Sequence, residues 1–333
     1  MAETVPPLTQ LLRDRITDAG PLSFYDFMEA ALYEPELGYY RKAHDRIGKS
    51  AFSDFYTSSS LTEAFVALLE ESFHQLRPPL PGPWHLVEAG AEKGGLPWSP
   101  SNQSWEEVHA VGAGQALPRV SPMVLFSNEL FDARPFHRLI FQDDQWQELQ
   151  VTWDREENGF REFVAPIRDE RLEPWLDRLP PRQTEGYHLD LPTGAAHLLR
   201  KLLQDPWEGL FVAIDYGRTW ETLASETPAG TLRSYRQHQQ ESNILQDPGG
   251  RDITGHICWD WLEEELQNQG FSHIQLQRQE TYFVQHSTRA LEKQLHQEGD
   301  QRADPIRRQI AALLHPAHFG QAFQVLSARR VGS

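Results

Sequence analysis

Three short apolar runs in this chain end in polar residues of the kinds that hold charged ligands. Leu86-Val87 leads into Glu88-Ala89-Gly90, Met123–Phe126 into Asn128-Glu129, and Phe211–Ile214 into Asp215-Tyr216-Gly217. Taken alone, a polar strand end is more often a solvated turn or a helix cap. Three on one parallel sheet converge, because ligands of open α/β sheets bind at the carboxyl ends of strands. The first run opens like a nucleotide-binding loop, with an acid and then a glycine after an apolar strand. It then departs: Glu92 stands where a second glycine is expected, and Pro97 and Pro100 fall where a helix should start.

Other reactive residue types carry less. His315 and His318 are three apart with Pro316 between them and no further ligand at a recognisable spacing, so no metal site is expected. Cys258, between Ile257 and Trp259, reads as a packed thiol. His188 and His256 have the chemistry of bases but nothing in their spacing that selects them.

The elements that must position these residues alternate in type. Leu8, Leu11, Leu12 and Ile16 recur at helical spacing up to Gly20-Pro21, and Ser23 with Asp26 reads as a capping box for a helix to about Leu32. Ser60 with Glu63 caps another, whose apolar face is Leu61, Phe65, Leu68 and Leu69. "FHRLIFQDDQWQELQVTW" alternates around Asp143-Asp144 and predicts an antiparallel hairpin. "TGAAHLLRKLL" and "CWDWLEEELQNQGF" read as helices, the second closed by Gly270. "QHSTRALEKQLHQEGDQR" reads as a solvated helix, and "FSHIQLQRQ" and "GQAFQVLSARR" as paired late strands. Strands alternating with helices predict an α/β fold, mainly parallel with an antiparallel edge.

Composition excludes several classes. A net charge of -17 argues against nucleic acid as a general partner, since phosphate binding needs clustered Lys and Arg. The single cysteine rules out an intramolecular disulfide and a cysteine-based zinc site. No apolar run reaches the roughly 18 residues of a membrane span. The N-terminus lacks a secretory pattern and leans acidic, against a transit peptide. A cytoplasmic chain is the expectation.

"SFYDFMEAALYEPELGYY", "SDFYTSSSLTEAF", "SNELFDARPFHRL", "AIDYG", "GTLRSYRQH", "DPGGRDITGHICW" and "LLHPAHFGQAFQVLSARR" occur here in the order seen in the MidA-type family. The chain resembles that family over about residues 8 to 329. The family includes mitochondrial complex I assembly factors that act as S-adenosylmethionine-dependent protein arginine methyltransferases. The resemblance implies a class I methyltransferase fold with a helical lid over residues 1–80 and an α/β domain over 81–333, carrying an inserted substrate-binding segment at about 136–190. It also implies a protein as substrate or partner. It assigns Glu88, Gly90 and Gly94 to the cofactor loop, and Asp215, Tyr216 and Gly217 to the strand end across the pocket. Asn128, Glu129 and Asp132 match the block beside the methyl-transfer position. Phe55, Tyr56 and Thr57 match the lid loop, and Asp252, Thr254 and His256 the late, substrate-binding loop.

Two departures bear on the cofactor. The family loop reads E-x-G-P-G-x-G, and Glu92 replaces its middle glycine. Only 34 positions separate Gly94 from Asn128, too few for two crossovers when one takes about 30 residues. "EVHAVGAGQALP" resembles the third strand, so the second, with its ribose-holding acid, is expected to be missing. Losing two charge-assisted contacts would weaken adenosylmethionine binding by roughly two to four decades. Two readings follow: a methyltransferase with a remodelled loop, or a pseudoenzyme that keeps the scaffold for protein binding.

Overall fold

The apolar runs that end in Glu88, Asn128 and Asp215 do become neighbouring strands. In the computed structural model they are His85–Ala89, Met123–Asn128 and Gly209–Asp215, paired in parallel with Leu86 opposite Val124 and Val124 opposite Leu210. The structure describes residues 5–41, 59–91, 95–98, 105–236, 239–241, 243–295, 310–311, 313–315 and 323–332. Expectations for Tyr56, Thr57, Glu92, Gly94 and His318, and for the side chains of Ser60 and Glu63, lie outside the described residues.

Contacts along the chain define two compact units. One is built on a six-stranded sheet. The three central strands are buried on both faces, as their near-continuous apolar sequence requires. Gln324–Arg330 and then Ser272–Arg278 extend one side antiparallel, which is the predicted antiparallel edge. Val108–Val111 closes the other side, parallel to His85–Ala89 with Leu86 opposite Val108 and Ala89 opposite Val111. That pairing corrects the expectation of a missing second strand. The short connection leaves no place for a crossover pair, so "EVHAV" docks directly on the first strand. An open ladder of backbone donors and acceptors is what it satisfies there.

The face that a crossover helix would cover is filled by other means. Helix Ser59–Leu76 lays Phe65, Leu68, Leu69 and Phe73 into the core with Leu86, Val124 and Phe126. Trp98 closes it, with ring centroids 6.1 Å from Phe73 and 5.7 Å from Phe126. A buried tryptophan hides roughly 150–250 Å², on the order of 4–6 kcal/mol of gross transfer free energy. Trp105 adds an edge contact to Phe73 and stacks on His74. Helix Thr288–Leu295, expected to be solvated, buries Leu291 in this same core.

The second unit is an antiparallel sheet. The hairpin predicted around Asp143-Asp144 is formed by His137–Gln142 and Gln145–Asp154, and both turn residues have positive φ (55° and 57°), the type I′ signature. Tyr187–Leu191 pairs with the first of these strands, and Gly159–Ala165 and the two-residue Leu22–Ser23 with the second. Its core holds Leu139, Phe141, Leu189, Leu191 and a Trp175–Trp261 stack at 3.9 Å. The predicted cap is present: Ser23 Oγ accepts from Asp26 N at 3.0 Å and opens helix Phe24–Tyr33. Because Leu22 pairs with Val151, the first two helices group with the inserted sheet, while Ser59–Leu76 groups with the parallel one. The units therefore divide the chain differently from a boundary near residue 80. Among the described residues, no helix is long and apolar enough to cross a membrane.

Candidate active site

Within the parallel-sheet unit, register brings three of the candidate positions to one edge. Glu88 lies opposite Phe126, and Asn128 opposite Ile214, so Glu88, Asn128 and Asp215 end adjacent strands. Strands lie about 4.8 Å apart, so the outer two strands are separated by roughly 10 Å, and the register sets Asp215 three residues beyond the level of Glu88. Asp215 is fully buried and accepts from Tyr216 N at 2.9 Å. Asn128 Nδ2 donates to Glu129 Oε1 at 3.2 Å. Glu129 has φ +48°, and its N–H donates to Ile214 O at 2.9 Å. A glutamate in left-handed geometry costs on the order of 1–2 kcal/mol and persists where its neighbours over-determine it, which is typical of functional sites. A cavity of about 190 Å³ in this unit lies elsewhere, at the amino end of Gly209–Asp215, lined by Leu76, Leu210, His273 and Arg329.

Gly90 is required by its geometry: φ is +80°, and a Cβ would stand 2.6 Å from Leu130 Cδ1. Its N–H and that of Ala91 donate to Val111 O, at 2.8 and 3.1 Å, tying the loop to the neighbouring strand. Glu88 does work that sequence did not show. Its Oε2 accepts from Leu96 N at 2.9 Å and from Trp98 Nε1 at 2.7 Å, so the acid anchors the shortened connection. Gly95, also missed, has φ +66°, and a Cβ there would lie 2.9 Å from the same oxygen. The doubled glycine at 94–95 was the available signal. Beyond Val111 the chain reads Gly112-Ala113-Gly114-Gln115, with Gln115 Oε1 accepting from Gly112 N at 2.8 Å. The place beside the first strand is thus filled by Val108–Val111, and the turn that follows carries an amide, Gln115, and no acid. Of the two losses expected to weaken the cofactor, the strand position is filled but the ribose acid is not restored.

The antiparallel unit gathers the other candidates. Asp252–Thr254 pairs with Arg233–Arg236, placing Tyr235 opposite Asp252 and Arg233 opposite Thr254. Tyr40 Oη donates to both oxygens of Asp252, at 2.9 and 3.1 Å. Burial and then the Asp252 charge hold the Tyr40 phenol well above its ordinary range, so it stays a donor. Tyr33 stacks on Tyr40 at 5.4 Å, donates to Ala133 O at 3.0 Å, and lies under the Arg134 guanidinium at 4.5 Å. Asp132 is buried, and its carbonyl accepts from Gly255 N at 3.0 Å. Gly217 is explained by packing: a Cβ would meet Ile257 O at 2.6 Å and Trp259 Nε1 at 2.8 Å. Cys258 is buried, as expected, and burial pushes its thiol up.

Asp190 organises the loop before Arg233. It accepts from Thr231 N at 2.6 Å, Leu232 N at 2.9 Å and Arg138 Nε at 2.8 Å. Arg138 also pairs with Glu162, so one buried guanidinium serves two carboxylates. Nothing in the sequence links residues so far apart, and the cluster was not foreseen.

His256 is pushed down to about 4 by burial first, then by Arg218 and Arg233. It is neutral at pH 7 and offers a nitrogen that is not already protonated. The unfolded chain takes up this proton below about 6.5 and the folded one only below about 4. Stability is therefore full above pH 6.5 and falls as pH drops to 4, by on the order of 3 kcal/mol from this group. His256→Asn should flatten that window in urea titrations at pH 7, 5.5 and 4.5. An unchanged slope would exclude His256 as its source.

The family described as "Putative S-adenosyl-L-methionine-dependent methyltransferase" matches residues 97–276. The mitochondrial protein arginine methyltransferase NDUFAF7 homolog of Drosophila melanogaster is 22% identical, over 96% of this chain and 84% of its own. NDUFAF7 of Danio rerio is 23% identical, over 76% of this chain and 70% of its own. A Burkholderia thailandensis protein solved with S-adenosyl-homocysteine superposes with TM-score 0.79 at 19% identity, covering 98% of this chain and 93% of its own. At that identity the likeness establishes the fold, the class I methyltransferase sheet. The relatives are named as mitochondrial proteins, which overturns the cytoplasmic expectation: an acidic-leaning N-terminus was too weak a ground for it. The strand ends, the sheet order and the matched residues agree, and the chain belongs to the MidA-type family of S-adenosyl-L-methionine-dependent methyltransferases.

Proposed function

We propose that the chain methylates an arginine of a protein substrate. The observation that carries this is Glu129, held at φ +48° at the end of the central strand beside Asn128, with its backbone fixed to Ile214. Such a carboxylate suits a guanidinium, which presents paired donors to an acid. The names of the relatives, protein arginine methyltransferases, support the same acceptor. Bound adenosylmethionine would supply an electrophilic methyl on its sulfonium, and Glu129 would hold the guanidinium in line with it.

The residues present fit that cofactor. Gly90 gives the turn backbone, and Glu88, Asp215 and Tyr216 line the strand ends, with Gly94, Gly217, Tyr56 and Thr57 assigned by family position. Gln115 stands nearest in sequence to the ribose role, as a neutral acceptor. Asn128, Glu129 and Asp132 would orient the acceptor, since displacement depends on alignment more than on acid catalysis. Asp252, Thr254 and His256 would bind the substrate chain, with Tyr40 fixing the Asp252 carboxylate.

Transfer of labelled methyl from adenosylmethionine to an arginine peptide, with calorimetry of each ligand, tests the proposal. Wild type should bind both and transfer. Glu129→Gln should lose transfer by about two decades or more, as expected for one misplaced group, while its urea midpoint stays near wild type. Transfer undiminished in Glu129→Gln would remove the residue from its role. Peptide binding with no cofactor binding would establish the pseudoenzyme instead.

A further inference from the structure

Outside this site, at the amino ends of the first two strands, His85, Glu107 and His109 form a cluster with no part in the chemistry above. Leu86 lies opposite Val108 and Val87 opposite His109, and Leu86 N donates to Glu107 O at 3.0 Å. Side chains alternate along a strand, so His85, Glu107 and His109 share one face of this strand pair. One ligand atom from each lies within 4.8 Å of the others. The imidazole rings are 5.7 Å apart, and His109 Nε2 is 3.5 Å from Glu107 Oε2. His85 Nδ1 and His109 Nε2 are buried and make no hydrogen bond among the described residues. Buried nitrogens are rarely left so, because each unpaired one costs about 1–3 kcal/mol.

We propose that this cluster binds a divalent transition-metal ion of the zinc class. Two imidazoles and one carboxylate are the ligand types zinc selects, and three protein ligands leave a fourth position for water. A tetrahedral site with bonds of ~2.0–2.1 Å puts its ligand atoms about 3.3 Å apart. The present separations, up to 4.8 Å, would have to close to that value by side-chain rotation, for which the exposed Glu107 and half-buried His109 have room. The ion would bridge the first strand to Val108–Val111, the short edge strand that reaches its place without a crossover helix. It would thus staple the sheet where the chain is shortened, and it is independent of the methyl-transfer reading.

Chelator-treated full-length protein should bind zinc one to one in calorimetry, with zinc raising the thermal midpoint. Cobalt(II) should give the visible bands of tetrahedral coordination. His85→Ala and His109→Ala should lose the isotherm, the cobalt bands and the zinc-dependent shift. Should either histidine variant misfold by circular dichroism, Glu107→Gln, altered at an exposed side chain, should keep the fold and weaken zinc by about tenfold or more, the loss typical of a weakened metal shell. The assignment is overturned if wild type shows no zinc isotherm, or if the isotherm survives unchanged in the folded variants.

Discussion

Gly209→Ala is expected to cost more than about 4 kcal/mol of stability, although it adds a single methyl group. Gly209 opens a central strand opposite Met123. Its φ is +140°, and a Cβ there would stand 1.9 Å from Met123 O, 2.9 Å from Met123 C and 3.0 Å from Met123 N. These are backbone atoms of the neighbouring strand, and Met123 N is already committed to Glu208 O at 3.0 Å. Neither partner can retreat without breaking the ladder that places Asn128 and Asp215. Costs above about 4 kcal/mol are exceptional for one substitution and arise from overlaps of this kind. For a chain of this size that is a fall in Tm of roughly 10 °C or more. Gly270→Ala is the matched control. Its φ is +78° and no described residue comes within 4 Å of the added carbon, so only the left-handed penalty of about 1–2 kcal/mol applies. Thermal and urea midpoints of the two variants check this. Equal losses would mean that backbone conformation, not the overlap, sets the cost at residue 209.

What sequence revealed and what it hid divide along a physical line. Strands buried on both faces announce themselves, because burial demands apolar runs, and all three site-bearing strands were found that way. The hairpin was legible because only certain residues tolerate its turn, and Asp143-Asp144 marked it. The Ser23 cap was legible because its hydrogen bond spans three residues. Val108–Val111 was identified as a strand but given the wrong place, because local sequence carries no information about which open edge a strand will join. The same limit hid Asp190, whose three partners lie 41 to 52 positions away. His85 and Glu107-x-His109 escaped for the same reason. Their ligand set is completed across two strands, and only the register shows it.

Glu88 tests whether the remodelled connection is structural or chemical, since the proposed site places it in the cofactor loop while its Oε2 is occupied within the protein. Both bonds, from Leu96 N at 2.9 Å and from Trp98 Nε1 at 2.7 Å, reach that one oxygen. Hydrogen bonds to a charged group are worth about 1.5–3 kcal/mol each. Glu88→Ala should therefore cost about 3–5 kcal/mol, leaving two donors unpaired beside a tryptophan that closes the core against Phe73 and Phe126. Glu88→Gln differs in kind. Its amide oxygen can take both bonds in the same place, so the loss should shrink to about 1–2 kcal/mol, the charge part alone. Urea midpoints of the three proteins decide this, and equal losses in the two variants would show that charge and not acceptor geometry holds the connection. Cofactor affinity separates the second question. If Glu88 acts by holding the loop, S-adenosyl-homocysteine should bind Glu88→Gln within about threefold of wild type and fail to bind Glu88→Ala. If the carboxylate touches the ligand, Glu88→Gln should keep its stability and still lose about tenfold in affinity, the 1.4 kcal/mol that separates a charged from a neutral bond. The first outcome is expected, because an oxygen already accepting two bonds from the shortened connection is poorly placed to serve a ligand as well.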